Sequence, residues 1–146
     1  MTVFEFRTAR ETLRLTTVEA AEICGTTGQY IRNIENGGKL SKAIAQKMID
    51  LLEWRSKAFH TAATQIAEIM AKTGNESSRI SIVWYDNPED FGDRNHWRAH
   101  QSICAELSVR YYKQVRLVPF ERDRYLRWLA DRDDTTTARF EWAALQ

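Results

Sequence analysis

The sequence predicts an α+β fold, mainly α, in two parts: a four-helix unit over residues 1–72 and a small α/β unit over residues 79–146. Three observations predict it. Apolar residues recur at helical spacing through the first half, between signals that start and stop helices. The run Thr73-Gly74-Asn75-Glu76-Ser77-Ser78 is polar and reads as a linker. Beyond it, two short runs rich in β-branched residues flank a helical one.

Taken in order, residues 2–14 read as a helix with Phe6, Ala9 and Leu13 on one face and Glu5, Arg10 and Glu11 largely outside it. Thr16-Thr17-Val18-Glu19 is a capping box for a short helix reaching about Cys24. Gly25 ends it, and Thr26 and Thr27 cap the next, which runs to about Glu35 and stops at Asn36-Gly37-Gly38. Ser41 caps a fourth helix carrying Ile44, Met48, Leu51 and Leu52, with the pattern continuing through Phe59, Ile66 and Ile69 or Met70. Unbroken to Lys72, that helix would span about 45 Å, too long for a small four-helix unit. It is expected either to break near Trp54–His60 or to project as a dimerisation element.

Arg79–Tyr85 reads as a strand with Ile80, Ile82 and Trp84 alternating, and Asp86–Asp93 as a solvated acidic loop. A helix is predicted over residues 96–112, a second strand over Gln114–Pro119 and a helix over residues 121–131. Asp133-Asp134-Thr135 caps a last helix with Phe140 and Trp142.

Composition excludes several classes. The 146 residues are 43% hydrophobic and 28% charged, a globular mixture. The net charge of +1 means that any basic footprint must be local. Cys24 and Cys104 are far apart without metal spacing and read as reduced thiols in a reducing cytosol. No signal-peptide run and no stretch near ~18 apolar residues is present, so a cytoplasmic protein with no membrane contact is expected.

The segment Leu15–Gly37 carries the function. Two short helices meet at a turn with Gly25, and Ile31 and Ile34 point inward from the second. Its outward face carries Thr27, Gln29, Arg32, Asn33 and Asn36, a polar surface suited to the major groove. From Gly28 to Lys57 there is a local charge surplus of +3. The blander alternative is an amphipathic helical hairpin, which explains neither the turn spacing nor the Glu35-Asn36-Gly37 ending. Arg32 has Glu35 three residues away as an alternative partner.

With Thr16, Glu19, Ala21, Gly25, Ile31, Ile34, Glu35, Asn36 and Gly37 in register, the segment resembles the Cro and phage-repressor (XRE) type of helix-turn-helix. It departs at Ala20, where a larger aliphatic is usual, and at Gly28, where a long polar side chain often reads a base. The resemblance implies that Thr27, Gln29, Arg32 and Asn33 face base edges. It implies that Thr17, Asn36, Lys39 and Lys42 meet the DNA backbone. Gln29 and Asn33 suit adenine, and Arg32 suits guanine or a phosphate. A wider resemblance lies in Trp97, Gln101, Ser102 and Ala105, which match the Trp-x-x-x-Gln-Ser-x-x-Ala segment of the YdiL-like family, including anti-CRISPR-associated repressors. It covers roughly residues 1–112. It implies a C-terminal dimerisation domain, with Trp97, Gln101 and Ser102 at the dimer contact. It also implies a homodimeric transcriptional repressor on an inverted-repeat operator at its own promoter. Alternatives are an antitoxin-type autoregulator with a protein partner and additional binding of its own mRNA.

No catalytic constellation, cofactor motif or metal site is expected. His96, His100 and Cys104 share a helix face at four-residue spacing, but a fourth zinc ligand is not evident. Asp86, Glu89, Asp90 and Asp93 lack the ligand pattern of a calcium loop. Ser102 has no base to activate it.

Overall fold

The computed structural model describes residues 1–73 and 79–146. The expected linker from Gly74 to Ser78 lies outside the described residues. Among the described residues there are eight helices and one two-stranded sheet, consistent with α+β, mainly α. The order is α1 (Val3–Thr12), α2 (Thr17–Cys24), α3 (Gly28–Glu35), α4 (Lys42–Thr73), β1 (Ile80–Trp84), α5 (Pro88–Phe91), α6 (Arg94–Arg110), β2 (Val115–Pro119), α7 (Arg122–Leu129) and α8 (Thr136–Ala144).

Local chemistry accounts for the boundaries. Thr2 caps α1 and Thr16 caps α2, each in a reciprocal box with the glutamate three residues on. Thr27, Asn87 and Thr135 cap α3, α5 and α8 through their side chains. Asp93 does the same for α6, accepting from the Asn95 and His96 amides.

Three clusters form the interior. Phe6, Leu13, Leu15, Ile31, Ile34 and Met48 close the first around α1–α4. Phe120, Tyr125 and Trp142 anchor the last, their rings 5.1 to 5.9 Å apart. Between them Phe59 and Ile66 of α4 meet Ile103, Leu107 and Val115.

That middle cluster decides the fate of α4. The helix does not break near Trp54–His60: it runs 32 residues, and the face of its second half that carries Phe59 and Ile66 packs on α6 and the sheet. Ala99 of α6 is fully buried within the N-terminal cluster. Arg55 of α4 donates to Ser102 Oγ at 2.8 Å and pairs with Glu106. The two expected parts therefore pack against one another along α4 and α6.

β1 and β2 pair in parallel, Ile80 opposite Val115 through Trp84 opposite Pro119, with α5 and α6 in the crossover. The alternation in β1 differs from a one-sided strand. Ser81 and Val83 are buried, while Ile80 and Ile82 are half-buried against the middle cluster. Both faces are covered, so neither parity is solvated. The acidic loop also differs from expectation. It contains α5, and Asp90 is buried because Arg122 Nε at 2.6 Å and Asn87 Nδ2 at 2.8 Å satisfy its carboxylate. No described helix is long and apolar enough to cross a membrane.

His100 packs against the Phe91 and Tyr85 rings, 4.7 and 5.6 Å away, and burial lowers its pKa to about 4. The unfolded chain takes up a proton near pH 6.5 that the folded chain refuses until about pH 4. This contribution is complete above pH 6.5 and is lost as pH falls toward 4, amounting to about 2 kcal/mol by pH 5. Urea denaturation at pH 7.5 and pH 5 should register that drop. In His100→Phe most of it should disappear; an equal drop in the variant would clear His100 of the effect.

Candidate nucleic-acid interface

The candidate site is built on an eight-residue helix, α3, which packs most closely on α2. The geometry between them begins at Gly25, whose φ of +68° is a left-handed conformation that costs glycine little. The Thr26 amide donates back to Ala21 O at 2.9 Å and closes the turn. Thr27 then starts α3, its hydroxyl accepting from the Tyr30 amide at 3.2 Å. Ile31 and Ile34 are buried at 0% and 1% exposure, which fixes the opposite face outward.

Three predicted residues of α3 come together on that outer face and reach Thr17 of α2. Arg32 donates through Nε and Nη2 to Gln29 Oε1 at 3.4 and 3.1 Å. Through Nη1 it donates across to Thr17 Oγ1 of α2 at 3.3 Å. Gln29 Nε2 donates to Asn33 Oδ1 at 2.9 Å. Thr17, Gln29, Arg32 and Asn33 thus form one hydrogen-bonded row, its α3 members exposed. Thr27 is exposed beside them, but its oxygen also serves as the cap. Asn36, Lys39 and Lys42 are exposed just beyond the helix. Neither lysine enters an ion pair among the described residues.

The Arg32–Glu35 alternative does not form, because Glu35 is taken elsewhere. Arg10 of α1 donates to both its carboxylate oxygens, at 2.5 and 3.1 Å, and to Leu15 O at 2.7 Å. The Arg10 and Glu35 side chains are only 13% and 11% exposed. Arg10 therefore belongs to the buried flank of α1, not to its solvated side. The signal was present: Arg10 sits four residues after Phe6 and three before Leu13, on the apolar stripe.

Gly28, where a base-reading side chain was expected from the resemblance, is half-buried against α2. A Cβ there would stand 3.5 Å from Val18 Cγ2 and 3.8 Å from Thr17 O. The position faces the neighbouring helix. Gly38 has a different constraint: a Cβ would meet Asn33 O at 2.6 Å, so only glycine lets the chain leave α3 this closely.

Two arginines absent from the sequence-based reading also serve this region. Arg98 of α6 donates to Glu19 at 2.8 Å, and Arg94 to Glu22 at 3.2 Å. Burial opposes it, but the Thr16 amide and Arg98 hold the Glu19 carboxyl below its usual pKa. The acidic residues of α2 are thereby paired with basic residues of α6.

Trp97, Gln101 and Ser102, expected at a dimer contact, are interior to the single chain at 8%, 3% and 5% exposure. Trp97 Nε1 and Gln101 Nε2 each donate to Tyr85 O at 2.8 Å, and Ser102 donates to Ala99 O at 2.7 Å. Trp97 and Gln101 join α6 to the end of β1, and Ser102 accepts from Arg55 of α4, so their own packing consumes the groups an interface would use. Among the described residues no three His, Cys, Asp or Glu side chains gather as a metal site. Cys104 is buried, with its thiol pushed up to about 12 by burial.

Compared with known proteins, the chain matches no protein-family model and no curated protein.

The Arg10–Glu35 pair yields a stability prediction. Arg10→Met leaves a mostly buried carboxylate unpaired and should cost about 3 kcal/mol in urea denaturation. Adding Glu35→Leu should recover most of that loss, giving a coupling energy well above 1 kcal/mol in the double-mutant cycle. Additive losses would mean that the pair holds nothing together.

Proposed function

We propose that this chain is a sequence-specific, DNA-binding transcriptional repressor whose segment Leu15–Gly37 acts as a helix-turn-helix, with α3 as the recognition helix. The observation that carries the reading is the row of Thr17, Gln29, Arg32 and Asn33. Its three α3 members lie on the outer face of a helix about 12 Å long, at ~1.5 Å per residue, and Arg32 reaches across to Thr17 at the start of α2. A helix of that size with base-directed polar groups enters a major groove roughly 12 Å wide.

The charges agree with that use. Lys39 and Lys42 are free to meet phosphates beyond the C-terminal end of α3, while Arg94 and Arg98 offset Glu22 and Glu19. In this reading two copies act together, each laying α3 in successive major grooves about 34 Å apart on an inverted repeat, and so exclude polymerase. Their contact uses a surface other than Trp97, Gln101 and Ser102, which are enclosed in each chain. Autoregulation in the cytoplasm, with the operator upstream of its own gene, completes the proposal.

Fluorescence anisotropy with duplex DNA from upstream of its own gene tests it. The wild-type chain should bind with an affinity that falls steeply with salt. Arg32→Ala should weaken binding by about 1–3 kcal/mol with an unchanged circular dichroism spectrum. Lys39→Ala and Lys42→Ala should each weaken it and reduce the salt slope by about 1. Unchanged affinity in Arg32→Ala would remove the row from the site. No salt-dependent duplex binding by the wild type would end the reading.

A further inference from the structure

We infer that the α3 row selects guanine: Arg32, held in place by Gln29, donates to a guanine's O6 and N7, and Gln29 does not read adenine. This deepens the proposed DNA-binding reading and rests on it.

The direction of the hydrogen bonds carries the inference. A guanidinium has five N–H donors and no acceptor. The Gln29 atom facing Arg32 must therefore be its carbonyl oxygen, and Arg32 Nε and Nη2 both donate to it, at 3.4 and 3.1 Å. That turns the Gln29 amino group the other way, where it donates to Asn33 Oδ1 at 2.9 Å. Arg32 Nη1 donates to Thr17 Oγ1 at 3.3 Å. The row is a relay of one polarity, running from Arg32 through Gln29 to Asn33.

What remains after these bonds decides which base is met. The Gln29 carbonyl has two lone pairs and accepts two bonds from Arg32, so it has none to offer. Reading adenine needs an acceptor for the N6 amino group together with a donor for N7 from one side chain. Gln29 cannot supply that pair while it holds Arg32. Three of the five guanidinium N–H groups are committed, leaving two on the terminal nitrogens. Two donors on one rigid fork match guanine, whose major-groove edge presents two acceptors. Gln29 keeps one amide hydrogen and no lone pair, whereas Asn33 keeps both amide hydrogens and one lone pair, so an adenine beside the guanine falls to Asn33 and not to Gln29. The α3 carboxylate that could accept from a base, Glu35, is occupied by Arg10. To read adenine, Gln29 would have to release Arg32, which would leave Thr17 Oγ1 alone to orient the guanidinium.

Selection from a random-sequence duplex library by the full chain tests this. The enriched half-site should contain a fixed guanine. Replacing that base with 7-deazaguanine, which keeps Watson–Crick pairing but lacks the N7 acceptor, should weaken binding about tenfold. In Arg32→Ala both the guanine preference and the deaza effect should vanish. Fixed adenines with no fixed guanine would overturn the inference while leaving DNA binding intact. So would a fixed guanine indifferent to the deaza substitution, or binding without any enriched base. Failure to bind any duplex would overturn the DNA-binding reading itself, and this inference with it.

Discussion

An eight-residue helix does not hold itself together in water, because nucleating a helix costs more than so few hydrogen bonds return. α3 is such a helix, and every property of the candidate face depends on how its neighbours hold it. Ile31 and Ile34 seat it in the core from below. Arg10 holds its end through Glu35 and holds the approach to α2 through Leu15 O. Removing either partner of that mostly buried pair leaves a charge without water or counter-charge. The outer face can stay polar and exposed because the inner face is so firmly fixed.

The remainder of the chain acts as a scaffold for that arrangement. α4 lends its first half to the N-terminal cluster and its second half to the sheet, so a single helix ties the two clusters to one another. α6 completes the tie: Ala99 inserts into the N-terminal core, Ser102 and Glu106 receive Arg55, and Arg94 and Arg98 reach α2. Motion between the two parts would have to break these contacts together. The packing of Trp97 and Gln101 onto Tyr85 O joins the same helix to β1. Trp97 and Gln101 thus belong to this internal seam.

Local features were the most legible in the sequence. The boxes at Thr16–Glu19, the glycine turn at Gly25 and the inward Ile31 and Ile34 depend on residues within a few positions of one another, and both strands followed from β-branched runs. Long-range partners were not legible. Nothing near Arg10 names Glu35, 25 positions away, and nothing in α4 announces that β1, β2 and α6 will cover its second half. For Trp97, Gln101 and Ser102 the pattern does not separate core from interface, for the same reason. A polar residue on a helix face can serve a partner chain or an internal carbonyl, and only the fold reveals Tyr85 O beside it. The outward row was visible residue by residue, but its hydrogen-bond direction, which bears on base choice, depends on three side chains meeting in space.

The central claim is that the outer face of α3 is where DNA is met. Amide chemical shifts of the isotope-labelled chain, followed during titration with the duplex upstream of its own gene, test it most directly. The largest saturable changes should fall on Thr17 and on residues 27–36, with smaller ones at Lys39 and Lys42 and little change in α7 and α8. Saturable changes centred on α7 and α8 that leave α3 unmoved would contradict the claim.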